Sequence, residues 1–312
     1  MTRSHVPFDA LWSMAIDVPY SYLLRDDGLA WTCGQIALDL ESEVLHPGDL
    51  VSQSSVVCGH ITSILERAKL DAGGLRRLYL YYASPNAGVV EEMLATFRAR
   101  FGPAVLLEAI PVPHFYYDGI LLEVDVWWAE SADELRFGSA VAPTPSAERL
   151  SEHLVVPTEE LHRPHDVPDP GAVIDGGAKL TEAMFLSVEL PGHEVTTDMD
   201  VRDGVITVLR RAGSFTWLQG RSTQGARGLV EQTDAIMSRF DEVIESLGLT
   251  YADVAKSTTH YVGGSSAEEL HGNMAVRNRR YTKPGPASTG LPVYGFAAPA
   301  SKVVVDLTLL RR

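Results

Sequence analysis

The feature that most constrains this chain is an internal repeat. Residues 53–70, QSSVVCGHITSILERAKL, align without a gap on residues 232–249, QTDAIMSRFDEVIESLGL, 179 residues further on. Self-similarity on this scale makes each copy one structural unit, so whatever architecture is assigned to one copy must serve both. In the first copy Val57, Ile61, Ile64, Leu65 and Ala68 follow the spacing of a single buried helix face, and Ile236, Phe240, Val243, Ile244 and Leu247 follow it in the second. The spacing predicts amphipathic helices over 50–69 and 229–248.

The same register continues into LRRLYLYYAS at 75–84 and VAKSTTHYVG at 254–263, where β-branched and aromatic residues predict strands. A glycine-bearing strand precedes each helix, WTCGQIALD at 31–39 and TWLQGRST at 216–223. A second helix follows each strand, roughly 87–101 and 266–281, and two more strands close each copy, 103–112 with 119–129 and 286–296 with 301–310. With a leading strand before the glycine strand, the order β-β-α-β-α-β-β predicts an α+β fold: two tandem domains, each a mixed sheet with two helices packed on one face. The domains are expected over 1–130 and 176–312. Residues 131–175, rich in Pro, Glu, His and Asp without sustained periodicity, are expected to form a linker.

A length of 312 residues suits two domains. The 26 Lys and Arg against 41 Asp and Glu leave a formal net charge of −15, which repels phosphate backbones and anionic membrane surfaces, so no nucleic-acid or membrane partner is expected. No apolar run approaches the roughly 18–20 residues that span a bilayer. Two cysteines, Cys33 and Cys58, and a start without a basic head, apolar run and cleavage site point to a reduced, cytoplasmic protein. His162 and His165 lie close together in the linker, but no further His or Cys joins them at ligand spacing, so no metal or other cofactor is expected.

PYSYLL at 19–24, GLAWTCGQIALD at 28–39, GDLVSQ at 48–53 and ILLEVDV at 120–126 resemble the RidA (YjgF) superfamily. SFTWLQG, LVEQT, TYADVAKST, GPAST and VVVDLTLL repeat the pattern more loosely in the second copy. The resemblance covers nearly everything except the linker and the extreme N-terminus. It implies the family's two-helix, mixed-sheet domain, a tendency to form homo-oligomers, and a small-molecule pocket in the cleft between such units. The activity it implies is hydrolysis of enamines or imines in specialised metabolism. Chorismatases are similar tandem proteins of comparable length, so an enolpyruvyl hydrolase or lyase is the alternative enzyme. A non-catalytic ligand-binding protein is the third reading. One departure stands out. In the deaminating members an Arg after a Pro-Ala pair holds the substrate carboxylate; here Val105 follows Pro103-Ala104 and Ser288 follows Pro286-Ala287.

The candidate catalytic residues are Asp306, Asp125, Glu123 and His260. Glu123 and Asp125 lie two apart on one strand and so share a face. The resemblance matches Asp125 and Asp306 to the family's pocket acid, although paired structural acids give the same pattern. His260 aligns with Tyr81 and Tyr261 with Tyr82, and only one of each adjacent pair can face a site, the other reading of His260 being a structural histidine. The candidate substrate-binding residues are Arg221, Gln35, Cys33, Tyr81, Tyr261 and Ser288. Arg221 replaces the Gln that follows the strand glycine, Gln35 in the first copy, and either supplies the missing cation or lies on the surface. Cys33 is either a nucleophile or a buried, inert thiol, and no Cys-His signature accompanies it. The cluster His114, Phe115, Tyr116, Tyr117 and Asp118 falls in the turn between the last two strands of the first copy.

Overall fold

A computed structural model describes residues 3–84, 86–131, 136–137, 188–189, 192–225, 227–264, 266–296 and 300–311. The chain folds as two compact units, Met1–Ala132 with Thr282–Thr289 and Asp133–Tyr281 with Gly290–Arg312. Residues 282–289, expected with the second copy, group with the first because their backbone bonds to it: Gly285 N–H donates to Pro19 at 2.7 Å, Ser21 N–H to Pro286 at 3.2 Å, and Gly34 N–H to Ser288 at 3.4 Å. His162, His165 and most of the expected linker lie outside the described residues.

In the first copy the strands are β1 (Ser4–Pro7), β2 (Ser21–Asp26), β3 (Leu29–Thr32), β4 (Gln35–Ile36), β5 (Leu75–Tyr82), β6 (Leu106–Pro111) and β7 (Leu122–Ala129). They form one sheet in the order β1-β2-β3-β7-β5-β6, with β4 also on β7. The β5–β6 pair is parallel, and β1–β2, β2–β3, β3–β7, β4–β7 and β5–β7 are antiparallel, as the expected mixed sheet requires. Helices α1 (Leu50–Arg67) and α2 (Ala87–Phe101) pack on each other and on a common apolar core. Asp49 caps α1 by accepting from Ser52 N–H at 3.0 Å, satisfying a donor that a helix start leaves orphaned. Val57, Ile61, Ile64 and Leu65 of α1 meet Leu78, Leu80, Val124 and Val126 of the sheet, so the periodicity read in the sequence is the helix-facing side of one core.

Short pairing of β8 (Arg136–Phe137) with β9 (Val188–Glu189) comes next in the chain. The second copy then repeats the plan with β10 (Thr196–Arg202), β11 (Val205–Ala212), β12 (Phe215–Ser222), β13 (Val254–Tyr261), β14 (Ala287–Pro292) and β15 (Val303–Leu310). Its order, β10-β11-β12-β15-β13-β14, repeats the β1-β2-β3-β7-β5-β6 path of the first sheet, with the single strand β12 where the first copy has β3 and β4. Helices α3 (Leu229–Ser246) and α4 (Ala267–Asn278) correspond to α1 and α2. The alignment offset that places 53 on 232 also places α1 on α3 and β5 on β13.

The glutamine at each helix start is a latch. Gln53 Nε2 donates to the carbonyls of His46 at 3.0 Å and Gly119 at 2.7 Å, while its Oε1 accepts from Leu121 N–H at 2.8 Å. Its counterpart Gln232 holds Gln224, Arg227, Ala300 and Lys302 in the same way. Both side chains are buried, and each ties two stretches of loop backbone to the helix start with hydrogen bonds of both kinds, donated and accepted. No helix among the described residues is long and apolar enough to cross a membrane.

Candidate functional site

Side chains directly opposite each other across an antiparallel pair share a face, and successive residues alternate between faces. On β5, Leu78 and Leu80 turn to the helices, which sends Arg77, Tyr79 and Tyr81 to the other side. Tyr79 stands opposite Asp125, Tyr81 opposite Glu123, and Arg77 opposite Trp127. On the parallel neighbour Glu108 lies beside Tyr79. Two acids of the candidate set are thus assembled with two tyrosines, an arginine and a third acid.

This face is dry. Arg77 and Tyr81 are wholly buried, and Asp125 is 1% exposed. Arg77 Nη2 lies 3.2 Å from Glu108 Oε1, and its Nη1 donates to the Tyr79 hydroxyl at 2.6 Å while the guanidinium sits 5.2 Å from the centre of that ring. A buried cation needs such compensation, because an unpaired charge in the interior costs several kcal/mol. Asp125 Oδ1 accepts from the Thr289 hydroxyl. The Glu123 carboxylate occupies the space above Gly34, where a Cβ would come within 1.8 Å of Oε1. Burial, and then the charges of Asp125, Glu123 and Glu108 together with Tyr79, push the Tyr81 phenol well above its ordinary range. At neutral pH it is therefore a fixed hydrogen-bond donor.

The second copy places different residues on the corresponding face. Gln219 Nε2 donates to Asp306 Oδ1 at 2.7 Å, and Thr258 stands on the acid's other side. Arg221 and His260 both lie opposite Val304, from the two neighbouring strands, so they flank it on one face. Burial, and next the charge of Lys256, lower the His260 pKa to about 4, so the ring is neutral at physiological pH. Arg210 stacks 5.4 Å from the centre of the Trp217 ring in the same layer.

The remaining candidates lie elsewhere. Cys33 belongs to the helix-side apolar core, and Gln35 is committed to Trp12 Nε1 at 3.1 Å and to the Cys33 carbonyl at 2.9 Å. Tyr261 is buried on the side opposite His260, and Ser288 offers its carbonyl to Gly34. Cys58 is core, and burial drives its thiol up to about 12. In the turn cluster, the Tyr117 hydroxyl accepts from Ala15 N–H at 3.0 Å and so pins the N-terminal segment. Val105 lies in the helix-side core. Arg77, Tyr79 and Glu108 went unread in the sequence, although Arg77, Tyr79 and Tyr81 alternate with leucines in LRRLYLYY and so mark one face. Among the described residues no group of three or more His, Cys, Asp or Glu side chains is arranged to hold a metal.

Neither known family models nor curated proteins match this chain. Solved structures do. A yeast protein, YEO7, is similar at 17% identity over 42% of this chain and 100% of its own, with a TM-score of 0.36. A putative endoribonuclease from Thermotoga maritima gives the same identity, coverage and TM-score. A member of the YjgF/YER057c/UK114 family from Mycobacterium tuberculosis matches at 16% identity over 41% of this chain and 99% of its own, with a TM-score of 0.34.

Proposed function

We propose that this protein is a small-molecule enzyme of the RidA superfamily that hydrolyses an enamine, imine or related conjugated nitrogen compound, with Asp125 as its principal proton-transfer group. The observation that carries this reading is a carboxylate 1% exposed that accepts from the Thr289 hydroxyl and stands with Tyr79, Tyr81 and Glu123 on one face of the sheet. Burying an acid there has a desolvation cost that ordinary packing would avoid with an apolar residue. In the proposed reaction, an enamine reacting as its imine tautomer, Asp125 takes a proton from water as the water oxygen bonds to the C=N carbon, and passes that proton to the nitrogen. Asp125 then moves the carbinolamine hydroxyl proton to the nitrogen, the C–N bond breaks, and ammonia or an amine leaves as the C=O bond forms. Tyr81 donates a hydrogen bond to the substrate. Arg221, from the second copy, supplies the cation for an acidic substrate that Val105 and Ser288 do not, since Arg77 is committed to Glu108 and Tyr79.

The test is incubation with a panel of enamine-generating amino acids and with chorismate, read by mass spectrometry, for the unaltered protein and for Asp125→Asn and Asp306→Asn. Asp125→Asn is nearly isosteric and is expected to lower turnover of an imine-forming substrate at least ~100-fold, the lower scale for a positioned acid or base, without a matching fall in melting temperature. Full activity in that variant would remove Asp125 from the reaction. Turnover of chorismate alone would replace the reading with enolpyruvyl chemistry, and ligand binding without turnover would make the protein a binding module.

A further inference from the structure

On the opposite, helix-covered side of the second sheet, part of the core is polar. Ser257 stands opposite Leu307 and Thr259 opposite Val305, which puts both hydroxyls on the side facing α3 and α4. From those helices come Thr233, Asn273 and Arg277, and all five residues are 2% exposed or less. The Thr233 hydroxyl lies 2.9 Å from Asn273 Oδ1 and joins the two helices. Arg277 follows Asn273 by one helical turn on the same face. Its Nη2 lies 3.5 Å from where a Cβ on Gly290 would sit.

The first copy shows what these positions hold when they do nothing but pack. Superposing the repeats sets Ser257 and Thr259 on Leu78 and Leu80, Asn273 and Arg277 on Met93 and Phe97, and Gly290 on Ala109. Those five residues of the first copy belong to one contiguous apolar cluster. The second copy has exchanged it for hydrogen-bond donors. Ser257 Oγ, Thr259 Oγ1, Asn273 Nδ2 and Arg277 Nε are all buried with no hydrogen-bond partner among the described residues. Arg277 makes no ion pair among them either, in contrast to Arg77, Arg239 and Arg280, each of which has a carboxylate within 3.2 Å. Guanidinium cannot shed its charge, so a buried one without a carboxylate requires a negative charge from elsewhere.

We infer that the space under α3 and α4 is a binding site for a small monovalent anion, held by the Arg277 guanidinium with Asn273 Nδ2 and the Ser257 and Thr259 hydroxyls as neutral donors. The hydroxyls and the amide can turn donors toward a ligand, and the guanidinium charge, which no acidic side chain among the described residues pairs with, selects an anion over a cation and favours it over water. The site lies on the other side of the sheet from Asp306 and His260 and is independent of the proposed hydrolysis.

The experiment is thermal unfolding of the full chain at constant ionic strength, with chloride replacing gluconate in steps, and with bromide and acetate as further probes. A ligand that binds only the folded state raises the melting temperature in proportion to the logarithm of its concentration, here by about 3 °C per tenfold increase above saturation. Arg277→Met, which keeps the length and removes the charge, is expected to abolish the slope, while Arg279→Met, at an exposed residue paired with Asp234, keeps it. Should Arg277→Met fail to fold, bromide-quadrupole NMR broadening of the unaltered protein, competed away by chloride, takes its place. Equal slopes in the unaltered protein and Arg277→Met, or no slope and no broadening, would overturn the inference.

Discussion

Under its helices the first copy packs Leu78, Leu80, Met93 and Phe97, where the second places Ser257, Thr259, Asn273 and Arg277. On the other side of the sheet the contrast is one of charge. Among the described residues, the central strands of the first copy set Asp125, Glu123 and Glu108 around one cation, Arg77, and the second copy sets Arg210, Lys256 and Arg221, with the neutral His260, around one acid, Asp306. Strand order, helix positions and the glutamine latch are the same in both. The backbone plan therefore depends on the periodicity of apolar positions and on a few backbone-binding side chains. Both sheet faces are free to change once that plan is satisfied, as expected when patterning sets the fold and particular side chains set the site.

The contrast is most easily broken at the ion pair of the first copy. Arg77 and Glu108 align with Lys256 and Thr289, so this buried pair has no equivalent in the second sheet. Arg77→Met leaves Glu108 with 12% side-chain exposure and without its guanidinium, and is expected to lower unfolding free energy by about 3–5 kcal/mol. The double variant Arg77→Met, Glu108→Met removes both charges and is expected to recover most of that loss. Urea unfolding of the two variants measures both numbers. A double variant no more stable than the single would mean that Arg77 is held by packing and by Tyr79, with the charge pair secondary.

How much of this was legible beforehand follows from which signals repeat. The helices and central strands were, because apolar spacing at periods of 3.6 and 2 recurs at one offset in both copies. The outer strands β1 and β10 were not: TTDMDVR is exposed at every position and carries no buried face to betray it. Asp125 and Asp306 were visible as charges inside apolar runs. The polar core of the second copy was not, since Ser257 and Thr259 read as ordinary strand residues until the first copy shows that leucines belong there. Cys33 and Gln35 were grouped by sequence with the candidate site, but the chain between β3 and β4 commits them to Trp12 and the core. Glu108 could only be found through its parallel neighbour, and parallel pairing leaves no local sequence mark.

A second difference is sharpened by acid. Tyr81 and its counterpart His260 occupy equivalent strand positions, yet only the histidine titrates in a mildly acidic range, with its pKa lowered to about 4 by burial and by Lys256. The unfolded chain takes up this proton near pH 6.5 and the folded one only near 4, so the unfolded state binds more protons between those values. Stability from this group is complete above about pH 6.5 and falls as the pH drops toward 4, by up to ~3 kcal/mol. Replacing His260 with Gln is expected to flatten that part of the stability profile, measured as melting temperature against pH. An unchanged profile would assign the acid sensitivity to other groups.

The smallest and most discriminating expectation concerns one glycine in each copy. Gly34 and Gly220 hold matching places in the strand sequences but not in the sheets, where Gly220 stands opposite Val305 as Gln35 does opposite Val124; neither has a positive φ, so alanine at either is limited by neighbours and not by backbone strain. At Gly220 the new methyl would meet Ile236 Cγ2 at 2.5 Å and Phe240 Cε1 at 2.8 Å. Both residues are fully buried and cannot withdraw, so Gly220→Ala is expected to cost about 1–3 kcal/mol of stability, the usual range for overpacking. At Gly34 the three atoms nearest the methyl all belong to the Glu123 side chain, Oε1 at 1.8 Å, Cδ at 2.6 Å and Cγ at 2.8 Å, which turns about more bonds than the packed Ile236 and Phe240. Gly34→Ala is therefore expected to cost less stability, under about 1 kcal/mol, and to act by displacing Glu123 from beside Tyr81. Under the proposed hydrolysis, turnover in Gly34→Ala falls while the melting temperature barely moves, and Gly220→Ala shows the reverse. If Gly34→Ala were as destabilising as Gly220→Ala, Glu123 would be a fixed structural partner of this strand and not a movable member of the site.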